Sequence, residues 1–561
     1  MRRIFPGLIA GLLATPLLLS APSLILPAVL LSLIAGALFA LVFRPGNQAL
    51  VDVAMTGGAA GIPLWVVINV VAQPIVFGAG APLWTADGLR TQFPALAGWV
   101  LWGAVIGVFT KIFADIVNRL LGAEKTGAPV SREIRTRVLI LGGGFAGMTT
   151  AEQLEHQFGA DPSVDITLVS ENNALLFTPM LAEVAASSLE PTHISTPLRT
   201  SLRRTNVVRA KATAIDLAAR TVTLTDATSS WAASFDHLVL ALGSISNYMG
   251  MKNVEQQAYD FKSISDAMRI RNRVIDMFER ANRETDAEKR KAMLTFVIAG
   301  AGFAGAELAG GMNDFARGVL ADYPNLSAAD VCVVVVHPRD RILPELGETL
   351  AKYAEQRMTE RGVTFMLNTR LNDCSEDAVM CTSNNAPLKI SGNTLVWTAG
   401  TAPNPLLRSL PDTVQRDKRG AVLVNASLAV DGTQGLWAVG DCAVVPDVLN
   451  PGKTCPPTAQ FALREAKTLA HNIHAEVHGQ ATKRFSFKAL GLLAVVGHHT
   501  ACAELSIPFT KKTLLFSGLL AWLMWRAIYL GKLPGLERKI RVMSDWLIEL
   551  FFPRDIVQTL E

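Results

Sequence analysis

Two copies of the pattern Gly-x-Gly-x-x-Gly constrain this chain more than any other feature of its sequence. The first copy spans residues 142–147 after an apolar run at 137–141, and the second spans residues 300–305 after a run at 294–299. Such glycines permit a tight turn and let backbone N–H groups approach a pyrophosphate at the positive end of a helix. A predicted strand precedes each copy and a helical pattern follows it, at 148–154 for the first. Each copy therefore predicts a dinucleotide-binding fold.

The segments that follow the first motif predict a doubly wound sheet. The next strand, residues 165–169, leads into Ser170 and Glu171, which places a carboxylate where it can bind a ribose hydroxyl. Apolar runs at 221–225 and 237–241 alternate with helical patterns, which indicates an α/β fold with a parallel sheet, here built twice. Two such folds imply two dinucleotides. The economical pair is a flavin that accepts a hydride from a nicotinamide.

The N-terminal part of the chain has a different composition from the rest. Half of the 561 residues are hydrophobic and 18% are charged, below the roughly 25% of a soluble domain, and only six charged residues precede Lys111. Apolar stretches lie near residues 4–20, 24–43, 54–77 and 94–113. The last three reach the roughly 20 residues that a spanning helix needs. The sequence therefore predicts a membrane segment joined to a soluble body.

The positions of the basic residues favour four transmembrane helices over three. Four crossings leave Arg90 on the far side of the membrane and place the other basic residues on the cytoplasmic side, namely Arg2, Arg3, Arg44, Lys111, Arg119, Lys125 and Arg132. An alternative for the first stretch is a cleaved signal peptide that ends near Leu19, Ser20 and Ala21. The later stretches would still require a membrane.

Charge and cysteine content exclude other classes of protein. The 52 Lys and Arg residues and 48 Asp and Glu residues leave a net charge of +4, too balanced for a nucleic-acid binder that neutralises phosphates. The six cysteines form no Cys-x-x-Cys pair and no Cys/His cluster with zinc spacing. No metal site and no disulfide framework are expected, and the thiols fit a reducing compartment.

From about residue 133 onward, the chain resembles the membrane-associated type II NADH dehydrogenases, which are single-subunit flavoproteins with two dinucleotide-binding domains. The matching segments are GGGFAGM (142–148), ENNALLFTPMLAEVAA (171–186), ALGS (241–244), GAGFAGAELAG (300–310), ILPEL (342–346), WTAGTAPNP (397–405), WAVGDCAVVP (437–446), PPTAQFALREA (456–466) and the tail from about Leu514. The N-terminal membrane region lies outside the resemblance. The resemblance implies a non-proton-pumping NADH:quinone oxidoreductase that uses FAD and a membrane quinone.

The resemblance also implies which residues bind the cofactors. They are Gly142, Gly144, Phe145, Ala146, Gly147, Glu171, Gly243, Asp441 and Ala459 for FAD, and Gly300, Gly302 and Gly305 for the nicotinamide nucleotide. The first glycine motif is expected to hold the FAD pyrophosphate, Glu171 the adenosine ribose and Asp441 the ribityl-phosphate part. A carboxylate after a buried strand accepts hydroxyl hydrogen bonds without competition from water. The alternative for Asp441 is a turn-forming role after Gly440.

Glu307 and Gln460 are the candidate catalytic residues. By the resemblance, Glu307 lies near the place where nicotinamide and quinone meet the flavin ring, and a carboxyl in a poorly hydrated pocket can have a raised pKa and deliver protons. It is expected on the first turn of its helix, where its alternative role is an acid favoured by the helix dipole. Gln460, next to Ala459, is expected to bind a quinone carbonyl or the flavin edge. Where related proteins often carry a second Gln, this chain has Arg464.

The choice of nicotinamide nucleotide depends on the end of the strand at 331–336. An NADH site usually has an acidic residue there, whereas this chain has His337. Arg339 and Arg341 can pair with a 2′-phosphate, but Asp340 lies between them. We expect NADH to be preferred, with NADPH possible.

The C-terminal stretch at 516–533 is predicted to lie in the membrane interface, because it mixes apolar, aromatic and cationic side chains. These are Trp522, Trp525, Arg526, Tyr529 and Lys532, followed by Arg538, Lys539 and Arg541 in a further helix. A core helix and a homodimer contact are the alternatives. The predicted divisions are a transmembrane region (1–122), an FAD-binding domain in two parts (133–260 and 411–485), an NAD(P)H-binding domain (261–410) and a membrane-anchoring region (486–561). The expected location is the cell inner membrane, integral, with the catalytic domain on the cytoplasmic side.

The sequence leaves two alternatives to this function. A sulfide:quinone oxidoreductase has the same fold but uses paired redox cysteines beside the flavin. Cys442 and Cys455 are 13 positions apart, and neither lies in such a motif. A membrane scaffold with a degenerate flavin fold is the second alternative, against which the intact glycine motifs argue.

Overall fold

The computed structural model describes residues 4–18, 25–43, 50–77, 83, 86–120, 134–159, 161–507 and 512–558. The chain forms two compact units, Met1–Val130 and Ser131–Glu561, and each is described by itself. Most of the predicted linker at 122–135 lies outside the described residues. So do Arg2, Arg3, Arg44, Lys125 and Arg132, and the side chains of Arg90 and Arg119.

The first unit contains helices at all four predicted apolar stretches. They are α1 (Ile4–Ala14), α2 (Ile25–Phe43), α3 (Leu50–Trp65) and α4 (Ala86–Leu120). Two helical stretches, Leu50–Ile75 and Thr91–Ile116, are long and apolar enough to cross a membrane by length and composition, whereas Phe5–Leu17 and Ala28–Phe43 are shorter. Two spans therefore meet the length requirement, and four crossings stay a prediction.

Glycines bring α3 and α4 into backbone contact. A Cβ atom built on Gly57 would overlap the carbonyl oxygen of Gly103, and one on Gly61 would overlap that of Trp99. Small residues at this spacing let two helix backbones approach closely.

The second unit contains two parallel sheets of five strands each. In spatial order, the first sheet consists of Leu436–Ala438, His237–Leu240, Thr136–Leu141, Val164–Ser170 and Asn206–Arg209. The second consists of Tyr259–Asp260, Thr394–Trp397, Thr295–Ala299, Cys332–Val336 and Val363–Met366. All pairings within both sheets are parallel. The central strand of each sheet runs directly into one glycine motif, so the prediction of an α/β fold built twice is confirmed.

The longer helices of this unit follow the strands. They are α5 (Phe145–Phe158), α6 (Ile264–Ala281), α7 (Phe303–Gly318), α8 (Glu348–Glu360), α9 (Ala459–Val477), α10 (Gly518–Lys532) and α11 (Leu536–Glu549). Helix α5 begins three residues earlier than the predicted 148–154 because its N-terminal residue follows Gly144 of the motif itself.

One predicted member of the parallel sheet belongs elsewhere. Thr221–Thr225 is the middle strand of an antiparallel sheet, between Lys211–Asp216 and Ser230–Ser234. Only four residues separate it from the preceding strand, and a parallel connection needs about a dozen or more. The short turn therefore decides the pairing. A second antiparallel sheet is formed by Thr369–Cys374, Ala378–Ser383 and Ala386–Ser391.

The C-terminal part begins with an antiparallel sheet of Gly491–Val495, Ala501–Ser506 and Thr513–Ser517, which leads into α10 and α11. The remaining short strands are Ala174–Leu176, Ser195–Pro197, Ser244–Ser246, Thr401–Pro403, Val422–Leu423 and Ala443–Val444. The remaining short helices are Thr15–Leu18, Val66–Ala72, Gln73–Phe77, Thr178–Met180, Leu181–Ala185, Pro191–Ile194, Leu198–Ser201, Lys252–Gln257, Ala287–Met293, Val319–Asp322, Pro405–Ser409 and Gly440–Cys442.

Candidate functional site

The first glycine motif forms the turn between the central strand of the first sheet and α5. Gly142 has a φ of +111°, a conformation that favours glycine. A Cβ atom on Gly147 would overlap the carbonyl oxygen of Gly142, so the helix packs directly on the turn. Gly144 is the N-cap of α5, and the free N–H groups of the first helical turn follow it.

Four of the predicted flavin-binding residues line one cleft. Gly142, Gly144, Glu171 and Gly243 share a cleft of about 690 Å³ beside the carboxyl ends of the first sheet. Phe145 and Ala146 lie in the first turn of α5. Ala146 is buried, and the ring of Phe145 makes an edge contact with Phe177, with 5.7 Å between ring centroids. A cleft lined by a helix N-terminus and a carboxylate has the chemistry of a dinucleotide site.

Asp441 takes part in a polar chain that sequence analysis missed. Its Oδ2 accepts a hydrogen bond of 2.8 Å from Ser244 Oγ, which in turn accepts one of 3.2 Å from Lys262 Nζ. Burial lowers the pKa of Lys262, and the charge of Asp441 opposes this effect. The sequence gives little signal for Lys262 beyond its place before the capping box of α6, formed by Ser263 and Asp266.

A buried glutamate supports the loop that carries Asp441. Glu465 is 2% exposed, and its Oε2 accepts a hydrogen bond of 2.8 Å from the backbone N–H of Gly440. Burial, and to a lesser degree the charge of Asp441, raises the pKa of Glu465 to about 7. Its spacing provides a signal, because Phe461, Glu465 and Leu469 follow one buried face of α9 at four-residue intervals.

The second glycine motif repeats the geometry of the first. Gly300 has a φ of +107°, a Cβ atom on Gly305 would overlap its carbonyl oxygen, and Gly302 is the N-cap of α7. Thr398 Oγ1 donates a hydrogen bond of 2.8 Å to Ala299 O, which fixes the turn against the neighbouring strand.

His337 contacts this second turn directly. Its Nδ1 accepts a hydrogen bond of 3.2 Å from the backbone N–H of Ala301, so the neutral ring carries its proton on Nε2. Burial, together with the charge of Arg339, lowers its pKa. Nε2 is buried and has no hydrogen-bond partner among the described residues. Arg341 donates to the Pro344 carbonyl oxygen at 2.9 Å and thus serves its own loop.

The two candidate catalytic residues are anchored at opposite ends of one strand, Gly491–Val495. Gln460 Oε1 accepts from the N–H of Leu490 at 3.0 Å, and its Nε2 donates to Gly491 O at 3.4 Å. Glu307 Oε1 accepts from the N–H of Val495 at 3.1 Å. The two anchoring points are about 13 Å apart by the rise of a strand. Ala459, half-buried, begins the helix that carries Gln460.

Glu307 is half-buried and lies in the second turn of α7, not in the first as predicted, because the helix begins at Phe303. The effect of the helix dipole falls off within the first turn, which disfavours the alternative of a helix-start acid. Burial raises the pKa of Glu307 from 4.5 to about 8, against the opposing hydrogen bond from Val495. The residue is therefore mainly protonated near neutral pH and can donate a proton.

The two cysteines of the alternative sulfide chemistry are unsuited to it. Cys442 is buried and donates to the Leu240 carbonyl oxygen at 3.2 Å. Burial raises the pKa of Cys442 and of Cys455 to about 12. Redox and nucleophilic cysteines need a low thiol pKa, since the thiolate is the reactive form.

Two family models match the second unit. The pyridine nucleotide-disulphide oxidoreductase model matches residues 136–466, and the model of the C-terminal domain of NDH2 matches residues 490–555. Among curated proteins, the type II NADH:quinone oxidoreductase Ndh of Mycobacterium tuberculosis is 30% identical over 441 residues, which cover 77% of this chain and 91% of that protein.

Two solved structures share the fold. NDH2 of Plasmodium falciparum, solved in complex with NADH, superposes with a TM-score of 0.69 at 20% identity over 75% of this chain and 100% of that one. The sulfide:quinone oxidoreductase of Aquifex aeolicus superposes with a TM-score of 0.57 at 18% identity over 74% of this chain and 95% of that one.

Proposed function

The chain belongs to the type II NADH:quinone oxidoreductase family, and we propose here which of its residues carry out that reaction. The family's reaction converts NADH, a proton and a quinone into NAD⁺ and a quinol, without proton pumping. The observation that carries this function is the duplicated dinucleotide fold with both glycine turns intact, followed by an NDH2-type C-terminal domain. The raised thiol pKa of Cys442 and Cys455 argues against the sulfide alternative. The intact glycine turns argue against a degenerate scaffold.

FAD fits the first fold. The cleft of about 690 Å³ offers the N-terminus of α5 for a pyrophosphate and Glu171 for a ribose, and Asp441 supplies a carboxylate held by Ser244. When bound, FAD supplies two-electron chemistry between the nicotinamide and the quinone. The chain's own contribution at this fold is to bind and orient, with Lys262 balancing the charge of Asp441.

At the second fold, the same reasoning assigns NADH to the turn of Gly300, Gly302 and Gly305. His337 is neutral there because protonation of Nδ1 would break its hydrogen bond to Ala301. A neutral ring neither repels nor neutralises a 2′-phosphate, so we propose NADH preference with weak discrimination against NADPH.

Replacing His337 with Glu should sharpen this preference. A carboxylate at the end of the strand Cys332–Val336 repels a 2′-phosphate and accepts ribose hydroxyls, so kcat/KM for NADPH should fall about tenfold or more while that for NADH stays nearly unchanged. Steady-state kinetics with both nucleotides measure this. A higher kcat/KM for NADPH than for NADH in the unaltered protein would contradict the assignment.

For the quinone side, we propose that Glu307 donates a proton and that Gln460 contributes to the quinone or flavin contact. Both already hold the strand Gly491–Val495, and each keeps unused hydrogen-bonding capacity. Arg464 stacks on the Phe487 ring, with 5.4 Å between its guanidinium carbon and the ring centroid. Its guanidinium is therefore engaged by an aromatic ring and is not offered to a quinone as the second Gln of related proteins would be.

Proteins of this family are membrane-associated, and the C-terminal helices offer a surface for contact with a membrane. Trp522, Trp525 and Arg526 face inward and hold α10 to the body, whereas Lys532 is exposed. The exposed apolar side chains of α10, α11 and the flanking residues are instead Leu514, Leu515, Leu519, Leu520, Leu523, Met543, Leu547, Ile548, Leu550, Phe551 and Phe552. Exposed apolar side chains in this number indicate a lipid or protein contact. We propose a bilayer contact there, integral insertion in the inner membrane through the first unit, and the catalytic unit on the cytoplasmic side. A homodimer contact through this surface is the alternative to the bilayer contact.

Removing residues 1–120 should leave FAD content and NADH oxidation by a soluble acceptor intact. Every predicted cofactor residue lies in the second unit, which has its own hydrophobic cores. The measurements are flavin absorbance per protein and NADH:ferricyanide activity of the purified truncated protein. Loss of FAD from a folded truncated protein would contradict this division of the chain.

The visible spectrum of the purified protein tests the function as a whole. The flavin absorbance should bleach on addition of NADH and return on addition of a quinone. A protein without flavin would favour the scaffold alternative, and bleaching by sulfide in the absence of NADH would favour the sulfide alternative.

A further inference from the structure

A buried ionic cluster lies between the second glycine helix and the C-terminal helices. We call Glu183, Arg526, Glu549 and Arg554 the Glu183 cluster. Arg526 Nη2 lies 3.1 Å from Glu549 Oε2 and 3.8 Å from Glu183 Oε1, and Arg554 Nη2 lies 2.9 Å from Glu549 Oε1. Trp546 Nε1 donates to Glu183 Oε2 at 3.2 Å. Side-chain exposure within the cluster is between 8% and 15%, so these charges are largely removed from water.

The two arginines are committed to different partners. Arg554 ties Glu549 to the backbone carbonyls of Ala186 and Gly311, which is a structural role. Arg526 stacks on the rings of Trp522 and Trp546 at 3.8 and 4.5 Å. Glu549 therefore receives the shorter ion pairs, and Glu183 is the carboxylate of the cluster with the weaker compensation.

A small cavity joins this cluster to Glu307. It has a volume of about 40 Å³, and Glu183, Glu307, Asp314 and Glu549 all line it. A single water needs roughly 10–15 Å³ measured in this way, so the cavity admits more than one. Its lining also includes His498, which is exposed, so the cavity reaches from Glu307 toward the protein surface.

Burial and the neighbouring charges bring the pKa of Glu183 close to neutral pH. Burial raises its pKa to about 7, the charge of Arg526 opposes this, and the charge of Glu549 adds to it. The charge of Glu183 in turn raises the pKa of Glu307. The other charged or titratable groups on the surrounding elements are Asp314 with its partner Arg361 at the end of α8, His498 and His499 in the turn before Ala501–Ser506, Tyr529 on α10, and Arg554.

The reaction of the proposed function needs a proton in addition to the hydride of NADH. NADH contributes two electrons and one proton as a hydride, whereas a quinol carries two electrons and two protons. One proton per turnover must therefore come from the medium. If Glu307 supplies it, the carboxylate has to be reprotonated before the next turnover.

We propose that Glu183 is the relay that returns this proton, from the His498 side of the cavity to Glu307. The inference rests on the proposed function, because it assumes that Glu307 donates to the quinone. In each cycle, Glu307 loses one proton, Glu183 passes one proton to it through the cavity, and Glu183 regains one from the medium. No electrons move in this step, and the charge of the cluster is restored.

Glu183→Gln tests the relay at nearly constant side-chain shape. Glu183→Gln keeps the acceptor for Trp546 and leaves the ion pairs of Glu549 in place. We expect NADH:ferricyanide activity within about twofold of the unaltered holoenzyme and quinone reduction at about pH 8 slowed about tenfold or more. Glu183→Asp, which keeps a titratable carboxyl, should restore part of the rate. Asp545→Asn is the matched control, since Asp545 also holds α11 to the body, through His193 at 2.6 Å, but does not line the cavity.

An infrared titration of the oxidised holoenzyme gives a readout that does not depend on turnover. The unaltered protein should show protonated carboxyl bands that titrate near neutral pH, one of which Glu183→Gln removes while the titration of Glu307 moves to lower pH. Unchanged bands and an unchanged quinone rate in Glu183→Gln would overturn the relay. Equal losses in Glu183→Gln and Asp545→Asn would do so as well, because they would indicate a purely structural role. Absence of quinone reduction in the unaltered protein would instead overturn the proposed function.

Discussion

Glu307→Gln should slow quinone reduction about a hundredfold while the holoenzyme keeps its FAD and its NADH:ferricyanide activity. An amide oxygen still accepts the hydrogen bond of 3.1 Å from Val495, so the strand Gly491–Val495 stays anchored. The amide can neither release a proton nor carry a charge, and the substitution removes both properties at nearly constant shape. Parallel assays with a quinone and with ferricyanide measure the difference.

The pH dependence provides an independent check on Glu307. Burial raises its pKa to about 8, so the donor form is present below that pH and is lost above it. Quinone turnover of the unaltered protein should therefore fall as the pH rises through about 8, and the slow turnover of Glu307→Gln should lack this limb. Glu504→Gln is a suitable control, because Glu504 also accepts from a backbone N–H, that of Gly347 at 3.1 Å. If Glu307→Gln slowed the reduction of quinone and of ferricyanide equally, Glu307 would only maintain the fold.

The same substitution should raise the stability of the protein at alkaline pH relative to the unaltered protein. A carboxyl whose pKa is raised by folding contributes stability below its unfolded pKa, and this contribution is lost as the pH rises through the folded pKa. Glu307→Gln removes this dependence. Relative to the unaltered protein, the Tm of the variant should therefore rise between about pH 4.5, the ordinary pKa, and about pH 8, the raised one.

The glycine turns could be predicted from sequence because their physics is local. A strand, a turn with positive φ at Gly142 or Gly300, and a helix packed on that turn are fixed by about ten consecutive residues, and both copies fold as expected. The position of Glu171 after the next strand is equally local, since it depends only on where Val164–Ser170 ends.

The residues that complete the site could not be predicted in this way, because they come from distant parts of the chain. Glu307 and Gln460 meet the same strand, Gly491–Val495, which carries no motif of its own. Glu183 looks like one polar residue in an apolar run until α10 brings Arg526 against it. The inward orientation of α10 also depends on that partner, which explains why its composition alone indicated an interface helix.

Replacing glycine with alanine at equivalent positions of the two motifs should weaken the binding of two different dinucleotides. Gly144 and Gly302 are the N-caps of α5 and α7, with φ values of −76° and −72° that alanine adopts freely. A Cβ atom on Gly144 meets no described atom within 4 Å, and one on Gly302 meets only Glu345 Oε1 at 3.9 Å. Each substitution therefore spares the fold, and each places its methyl group where a pyrophosphate is expected to approach.

Gly144→Ala should weaken FAD binding, whereas Gly302→Ala should keep FAD and raise the KM for NADH. Overpacking of a tight contact costs about 1–3 kcal/mol, which corresponds to roughly a fivefold to hundredfold loss of affinity. Flavin absorbance per folded protein measures the first effect, and steady-state kinetics of flavin-loaded protein measure the second. The pair is its own control, because the two helices begin in the same way and receive the same methyl group. If Gly302→Ala lost FAD and Gly144→Ala did not, the assignment of the two folds to their dinucleotides would have to be exchanged.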